Sequence, residues 1–232
     1  MMNKVQTTLL AFVAIAAGSA SAVRAGEPHG PYGTFDWTGA YAGLQAGYSW
    51  SSARYSDDTY LSEANPEGFI GGGYIGYNYQ LPSRLVLGIE ADIVGSGMDG
   101  SDGQRYLDDP SVSIAGVELE METRWSAAVR GRIGYAYGRY LPYIAGGVSF
   151  TDYEFRWIDH VNATVPFKRE QSRTGWNIGT GVEYAANDWV IVRAEYRYTD
   201  FGTDHFPNDF AGPYSKMELQ THDLRLGVGV KF

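Results

Sequence analysis

The last twelve residues alternate strictly between two kinds of side chain, and this alternation limits what the whole chain can fold into. Every second residue of 221–232, from His222 to Phe232, is apolar or a histidine, and the residues between them are charged, hydroxylated or glycine. Successive side chains of a strand point to opposite faces, so the segment predicts a strand with one oily and one polar face. A soluble sheet normally covers or blunts such a strand. The pattern therefore favours the closing strand of a membrane β-barrel, with the oily face toward lipid and the polar face toward the lumen.

The first 25 residues have the features of a secretory signal peptide. Lys4 precedes an apolar run at 9–17, and Ala20-Ser21-Ala22 fits the small-x-small cleavage rule, with Ala25 as a second candidate. The apolar run is too short to span a bilayer. We therefore predict three parts, which are a signal peptide (1–25), a Gly- and Pro-rich periplasmic lead-in (26–36) and an outer-membrane β-barrel (37–232).

Composition excludes several classes of protein. The chain has no cysteine, which excludes disulfides, thiolate metal sites and a cysteine nucleophile. The formal net charge of -9 argues against a nucleic-acid partner. Aromatic residues make up 15% of the chain and glycine accounts for 30 residues. This mixture suits interfacial rings and small lumen positions better than it suits a helical protein.

Seven further alternating segments precede the last one and predict eight strands in all. They lie at about 38–51, 68–81, 85–94, 119–136, 141–154, 173–184 and 189–199. Short turns follow the second, fourth and sixth segments, and the long connections 52–67, 95–116, 155–172 and 200–219 follow the others. An even number of strands with this spacing predicts an all-β fold, an eight-stranded antiparallel up-and-down transmembrane β-barrel with long loops outside. The fifth strand leaves its register open, because Ile144, Val148 and Phe150 compete with Leu141, Tyr143 and Ala145 for the lipid face.

A soluble barrel with an apolar interior would show the same alternation, so periodicity alone leaves both folds open. The predicted lumen face of the membrane barrel is crowded with glycine and with opposite charges, and the chain ends on Phe232. Aromatic residues also cluster near predicted strand ends, as in interfacial girdles. The predicted girdle residues are Trp37, Tyr48, Trp50, Tyr79, Tyr135, Tyr184, Trp189 and Tyr198. These features favour the membrane barrel.

Five segments spread over nearly all of the mature chain carry a family resemblance. They are FDWTGAYAG (35–43), GIEAD (88–92), LPYIAGGV (141–148), AEYRY (194–198) and LRLGVGVKF (224–232). They resemble the small porin-like outer-membrane proteins of the RopB-like group, within the OmpA-type and opacity-type barrels. The resemblance implies an eight-stranded barrel, insertion by the barrel assembly machinery with Phe232 as the assembly signal, an abundant envelope role and no enzymatic activity. Some relatives in that group are linked to haem binding or host contact, and we find no motif here that carries either property over.

Ten charged residues fall on the predicted lumen face of neighbouring strands. Opposite charges that face a narrow interior are expected to pair, because an unpaired buried charge costs several kcal/mol. The network consists of Glu90, Asp92, Arg130, Arg132, Glu183, Arg193, Glu195, Arg197, Asp223 and Arg225, and the same alternation places Arg124 on this face. One interpretation is a gate or ion path. An eight-stranded barrel has room for little beyond side chains, so we favour a plug of salt bridges and expect small or absent conductance.

Other motifs predict no catalytic, cofactor or metal site. The G-x-G-x-x-G spacing at 71–76 lies inside a strand pattern, whereas a dinucleotide site needs a helix after it. The sequence at 99–103 resembles the start of a calcium loop but lacks its closing glutamate, and acidic loops of this kind could still hold divalent cations weakly. The four histidines show no zinc spacing. His222 and Ser215 have no spacing that argues for the lipid-facing His/Ser pair of barrel deacylases.

The sequence therefore predicts a structural outer-membrane protein, located in the cell outer membrane of a Gram-negative bacterium, that supports envelope integrity and exposes loops. The expected partners are outer-membrane lipid, lipopolysaccharide and the barrel assembly machinery. The alternatives are a narrow porin passing small solutes and a binding protein whose loops hold haem or a host ligand. No cofactor is expected.

Overall fold

A computed structural model describes residues 35–56, 60–106, 113–159, 167–206 and 215–232. The strands in these ranges are β1 (Gly39–Ser56), β2 (Tyr60–Ala64), β3 (Glu67–Gln80), β4 (Leu85–Tyr106), β5 (Ser113–Tyr135), β6 (Tyr140–Asp159), β7 (Phe167–Ala185), β8 (Val190–Phe206) and β9 (Ser215–Lys231). No helix among these residues is both long enough and apolar enough to cross a bilayer.

The strands form one antiparallel sheet that closes on itself. Each strand from β3 onward pairs with the next in sequence, and β1 closes the ring by pairing with both β3 and β9. The short β2 pairs with the ends of β1 and β4 that are farthest from the short turns. β3 lies between the same two strands, closer to the short turns. β2 and β3 therefore share one position in the ring of strands. Counting them as one, the barrel has eight strand positions, called staves below, as the alternation predicted.

The two faces of β9 decide between the two predicted folds, a membrane barrel and a soluble barrel with an apolar interior. Leu224 and Leu226 are 55% and 68% exposed on the outer surface, whereas Asp223 and Arg225 are each 4% exposed inside. Apolar side chains on the other strands also face outward, including Leu44, Phe69 and Ile89. The outer surface is therefore the oily one, which a barrel in lipid requires.

Several strands extend well beyond the segments predicted for them. A strand needs about 9–11 residues to cross a bilayer, yet β4 has 22 residues and continues to Tyr106. It pairs there with the outer part of β5, through pairs such as Asp102 with Leu119. The other predicted loops also contain strand, so the loops predicted at 52–67, 95–116, 155–172 and 200–219 are wrong over most of their lengths. Outside the bilayer water bathes both faces of a sheet, so the oily-polar alternation that reveals a strand is not required there.

A register shift in β5 overturns one predicted orientation. The pairing with β6 is irregular between Thr123 and Trp125, where one extra residue enters the strand. Such a bulge exchanges the two faces beyond it. Thr123 consequently points inward, and Arg124 lies half-exposed, with Nη2 2.6 Å from Glu154 Oε2. The prediction that Arg124 faces the lumen with Arg130 is wrong.

The structure also decides the register of β6, which the sequence left open. Leu141, Tyr143 and Ala145 are buried, while Ile144 and Val148 are exposed on the outer surface. Tyr143 therefore joins the charged residues in the lumen, where its hydroxyl can reach them.

An apolar cluster fills the end of the barrel that carries the short turns, which is the periplasmic end in outer-membrane barrels. Trp37, predicted in an interfacial girdle, is instead buried inside the barrel, where it packs edge-on against Phe35 at 4.7 Å between ring centroids. The Trp37 backbone N–H donates to Gln80 Oε1 at 2.9 Å and holds this segment in the mouth of the barrel. The alternation could not show this, because Trp37 precedes β1. The cluster comprises Phe35, Trp37, Val86, Ala136, Leu141, Ala185 and Ile191. The predicted signal peptide and lead-in residues 26–34 lie outside the described residues.

Candidate functional site

Ten charged side chains form a layer across the barrel lumen. They come from β4, β5, β7, β8 and β9, and each is 6% exposed or less. Five are carboxylates and five are guanidinium groups, so their formal charges cancel. The layer consists of Glu90, Asp92, Arg130, Arg132, Glu183, Arg193, Glu195, Arg197, Asp223 and Arg225. The structure thus brings together all ten residues selected from the sequence.

Some of these residues pair along adjacent strands. Glu90 lies opposite Arg130 in the β4–β5 register, and Arg130 Nη2 donates to Glu90 Oε1 at 2.5 Å. Glu183 lies opposite Arg193, with 3.6 Å between Arg193 Nη1 and Glu183 Oε1. Such neighbours follow from strand order and alternation, and both were recognisable in the sequence.

Other pairs cross the lumen between strands that are not neighbours. Arg193 of β8 donates to Glu90 of β4 at 2.6 Å. Arg197 of β8 places both terminal nitrogens 3.0 Å from the two carboxylate oxygens of Asp92, and Arg225 of β9 adds a third bond to Asp92 at 3.0 Å. Sequence alone missed these pairs, because they depend on the curvature of the closed sheet. Paired guanidinium and carboxylate groups of this kind form strong, directional hydrogen bonds.

Three tyrosines complete the layer from the strands that contribute no charge. Tyr41 of β1 donates to Glu90 Oε2 at 2.9 Å, and Tyr143 of β6 donates to Glu195 Oε2 at 2.7 Å. Tyr74 of β3 lies beneath the Arg193 guanidinium, 3.6 Å from ring centroid to Cζ. The ten charges and these three rings together draw on all eight staves. The sequence placed Tyr41 and Tyr74 on the polar face, but it gave no signal for their contacts.

Glycines leave room for these rings against the barrel wall. A β-carbon on Gly181 would lie 2.7 Å from Cζ of Tyr143, and one on Gly76 would overlap the hydroxyl end of Tyr41. Real β-carbons do not approach other heavy atoms so closely. The glycine-rich polar face predicted from the sequence is thus a set of spaces for lumen side chains.

The layer is bordered by a small cavity above and by the apolar cluster below. The cavity, of about 20 Å³, lies on the extracellular side, and Arg197, Asp223 and Arg225 are among its lining residues. Such a volume suffices for about one water molecule. Eight hydroxyl-bearing residues also line it, which are Ser49, Ser96, Thr123, Ser126, Ser149, Thr151, Thr199 and Thr221.

The other predicted positions lie apart from the lumen layer. Phe232 is exposed on the outer surface, and its backbone N–H donates to Ala40 O at 2.8 Å. His222 is also on the outer surface, beside Tyr196. His29 and His160, like the side chains of His205, Ser215 and residues 99–103, fall outside the part that the structure describes. Within that part, no group of His, Asp and Glu side chains is arranged to hold a metal ion.

Comparison with known proteins identifies the family. Residues 8–232 match the family described as outer membrane protein beta-barrel domain. The 31 kDa outer-membrane immunogenic protein of Brucella melitensis biotype 1 is 32% identical over 217 residues, covering 87% of this chain and 86% of the relative. The 22 kDa outer membrane protein of Rhizobium leguminosarum bv. viciae is 30% identical, covering 84% and 78%.

Among solved structures, the outer membrane protease OmpT of Escherichia coli is similar in fold. It has a TM-score of 0.51 and 9% identity, with 86% of this chain and 98% of that chain covered. The oily outer surface, the closed antiparallel sheet and the sequence relatives lead to one conclusion. The chain belongs to the outer membrane protein beta-barrel domain family and is an outer-membrane protein of a Gram-negative bacterium.

Proposed function

We propose that this protein is a structural component of the outer membrane that supports envelope integrity and does not conduct solutes. The observation that carries the proposal is the lumen layer, in which ten balanced charges and three tyrosines from all eight staves meet across the barrel. A solute would have to pass through this layer, and the apolar cluster around Trp37 closes the barrel a second time below it.

The pairing in the layer opposes an open state. Arg130 contacts both Glu90 and Glu195, so an open path would break several buried bonds together. Leaving a buried charge without its partner costs about 3–5 kcal/mol. Breaking several of these pairs at once is therefore unfavourable, and the closed barrel is the favoured state.

The extracellular parts of the strands support the second part of the proposed role, which is the exposure of surface loops. The pairing of β6 with β7 continues to Trp157 and Phe167. Both strands are therefore much longer than the roughly 9–11 residues that crossing a bilayer requires. This extension would present surface loops beyond the lipid headgroups. We also propose that the barrel assembly machinery inserts the chain and that lipopolysaccharide surrounds it.

The proposed role needs no catalytic residues. Similarity to a protease at 9% identity concerns the fold alone. The charged groups of the lumen layer are engaged with one another and buried, so a bulky substrate has no route to them.

Deletion of the gene in the native bacterium tests the proposal. We expect the mutant to admit detergents and large apolar antibiotics more readily, and we expect re-expression of the wild-type protein to restore the barrier. Uptake of small hydrophilic solutes should be the same in all strains, because the protein provides no path for them. Slower uptake of such solutes in the deletion strain, restored by the wild-type protein, would establish a porin instead.

A further inference from the structure

A cluster of aromatic side chains packs against one imidazole on the outer surface of the barrel. The His222 ring stacks on Trp50 at 5.8 Å between centroids, with 10° between the planes. The imidazole also contacts Tyr198 at 5.2 Å between centroids, and Tyr198 in turn packs edge-on against Trp176 at 5.5 Å. These residues belong to β9, β1, β8 and β7 in turn, so the cluster crosses four adjacent staves.

His222 stands at the outer edge of the membrane-crossing band. It lies ten residues above Phe232, which is next to the periplasmic turn that carries Trp189. At a rise of about 3.3 Å per residue and a tilt of about 40°, those ten residues climb about 25 Å. The apolar band of an outer-membrane barrel has that same height of about 25 Å. The imidazole is therefore level with the headgroups of the outer leaflet.

The hydrogen bonds of the ring leave one nitrogen for an external partner. The Tyr196 hydroxyl and His222 Nδ1 are 2.7 Å apart and hydrogen-bonded. When the tyrosine donates this bond, Nε2 carries the proton and becomes a donor. Within the described residues Nε2 has no hydrogen-bond partner. At the headgroup level this Nε2–H faces groups that can accept a hydrogen bond, of which a charged phosphate oxygen accepts the strongest.

We propose that His222 and the rings around it form a binding site for the phosphorylated sugar headgroup of a lipopolysaccharide molecule. The Nε2–H donates to a phosphate oxygen, and hydrogen bonds to a charged acceptor are strong. Trp50, Tyr198 and Trp176 offer apolar ring faces to the sugar and to the first methylene groups of the acyl chains. Tyrosine and tryptophan suit this boundary, where one end of the ring is apolar and the other is wet. The site is independent of the proposed closed lumen, because it lies on the opposite face of the wall.

Native mass spectrometry of the detergent-purified protein tests this site. The wild-type protein is titrated with bisphosphorylated lipid A, with the same lipid after phosphatase treatment, and with phosphatidylglycerol. We expect the phosphorylated lipid A to bind most tightly. His222→Ala should lower that affinity on the order of tenfold, the size of one lost hydrogen bond to a charged group. Tyr196→Phe removes only the hydroxyl that orients the ring, and it should cause a smaller loss in the same direction.

The matched control is Leu226→Ala, on the same face of β9 and four residues closer to the periplasm, below the headgroup level. It removes apolar surface without touching the cluster, so lipid A affinity should stay at the wild-type value. All variants are first checked for folding by heat-modifiable gel migration, and Tyr196→Phe carries the test if His222→Ala does not fold. Equal affinity for phosphorylated and dephosphorylated lipid A, equal affinity for phosphatidylglycerol, or an equal loss in Leu226→Ala would each overturn the proposal.

Discussion

Arg130 of β5 donates from Nη1 to Glu195 Oε1 of β8 at 2.8 Å, across the lumen and over 65 residues of sequence. Arg130 Nη2 bonds to Glu195 Oε2 at 3.0 Å and to Glu90 of β4. One guanidinium group thereby joins three strands, and it is 1% exposed. Arg130 is the centre of the layer that closes the barrel.

Replacing Arg130 by methionine should destabilise the barrel strongly. Arg130→Met keeps a long unbranched side chain but removes the guanidinium group, so it leaves Glu90 and Glu195 with one cation fewer. Removing one partner of a buried pair costs about 3–5 kcal/mol. Urea unfolding in detergent micelles, followed by tryptophan fluorescence, measures the change in the free energy of unfolding.

Two further variants separate this effect from a simple loss of packing. Arg130→Met combined with Glu195→Gln restores the charge balance, and it should recover part of the loss as a coupling energy of about 0.5–3 kcal/mol. Arg139→Met removes the exposed pair with Asp188 in the periplasmic turns, and it should cost about 1 kcal/mol or less. Equal losses in Arg130→Met and Arg139→Met would contradict the buried layer.

Filling the space beneath Tyr143 should also destabilise the protein. A β-carbon at Gly181 collides with the Tyr143 ring, which the bond to Glu195 holds in place. We expect Gly181→Ala to cost about 1–3 kcal/mol, the usual effect of overpacking. Gly131→Ala is the control, because a β-carbon there meets no heavy atom within 4 Å. The same urea titration compares them, and similar stabilities would show that the ring is not fixed.

A substitution in the apolar cluster at the periplasmic end should lower the stability of the barrel without changing its conductance. Trp37→Ala should cost about 3–5 kcal/mol, because it empties a fully buried position. The charged layer above remains intact, so planar bilayers should still show no channel. Trp189→Ala, at an exposed position of the same end, should cost much less. Channel openings in Trp37→Ala would mean that the cluster, rather than the charges, closes the barrel.

Phe232 provides a prediction about assembly rather than stability. The Phe232 ring is exposed, and the hydrogen bond to Ala40 is made by the Phe232 backbone. Phe232→Ala should therefore change the free energy of unfolding little. If the ring is the assembly signal, the variant should reach the folded, heat-modifiable form more slowly in cells. Pulse-chase labelling of membrane fractions follows this form, with Trp189→Ala as the control. Assembly at the wild-type rate would remove the role assigned to Phe232.

The transmembrane part of the fold was predictable because lipid imposes a simple rule on it. Leu224 and Arg225 differ in polarity since one faces acyl chains and the other faces the lumen. The alternation is not required beyond the headgroups. The parts of β4 and β5 that lie there therefore resemble loops in the sequence, and the prediction did not detect them. A bulge near Thr123 also exchanged the two faces of β5 without any mark in the pattern.

The members of the lumen layer were predictable, but most of their partners were not. Alternation assigns Asp92 and Arg197 to the lumen, whereas their bidentate pair requires knowledge of where β4 and β8 stand across the closed barrel. Tyr143 was missed because β6 has apolar residues on both faces. Trp37 was misplaced because it precedes the first strand and follows no alternation.

Single-channel recording in planar bilayers tests the closed lumen most directly. The purified, refolded wild-type protein should give no steady current at either polarity, because the layer around Arg130 leaves no continuous path for water. Heat-modifiable migration of the same sample shows that the inserted protein is folded. A large, steady conductance from the folded wild-type protein would contradict the closed barrel and the structural role that depends on it.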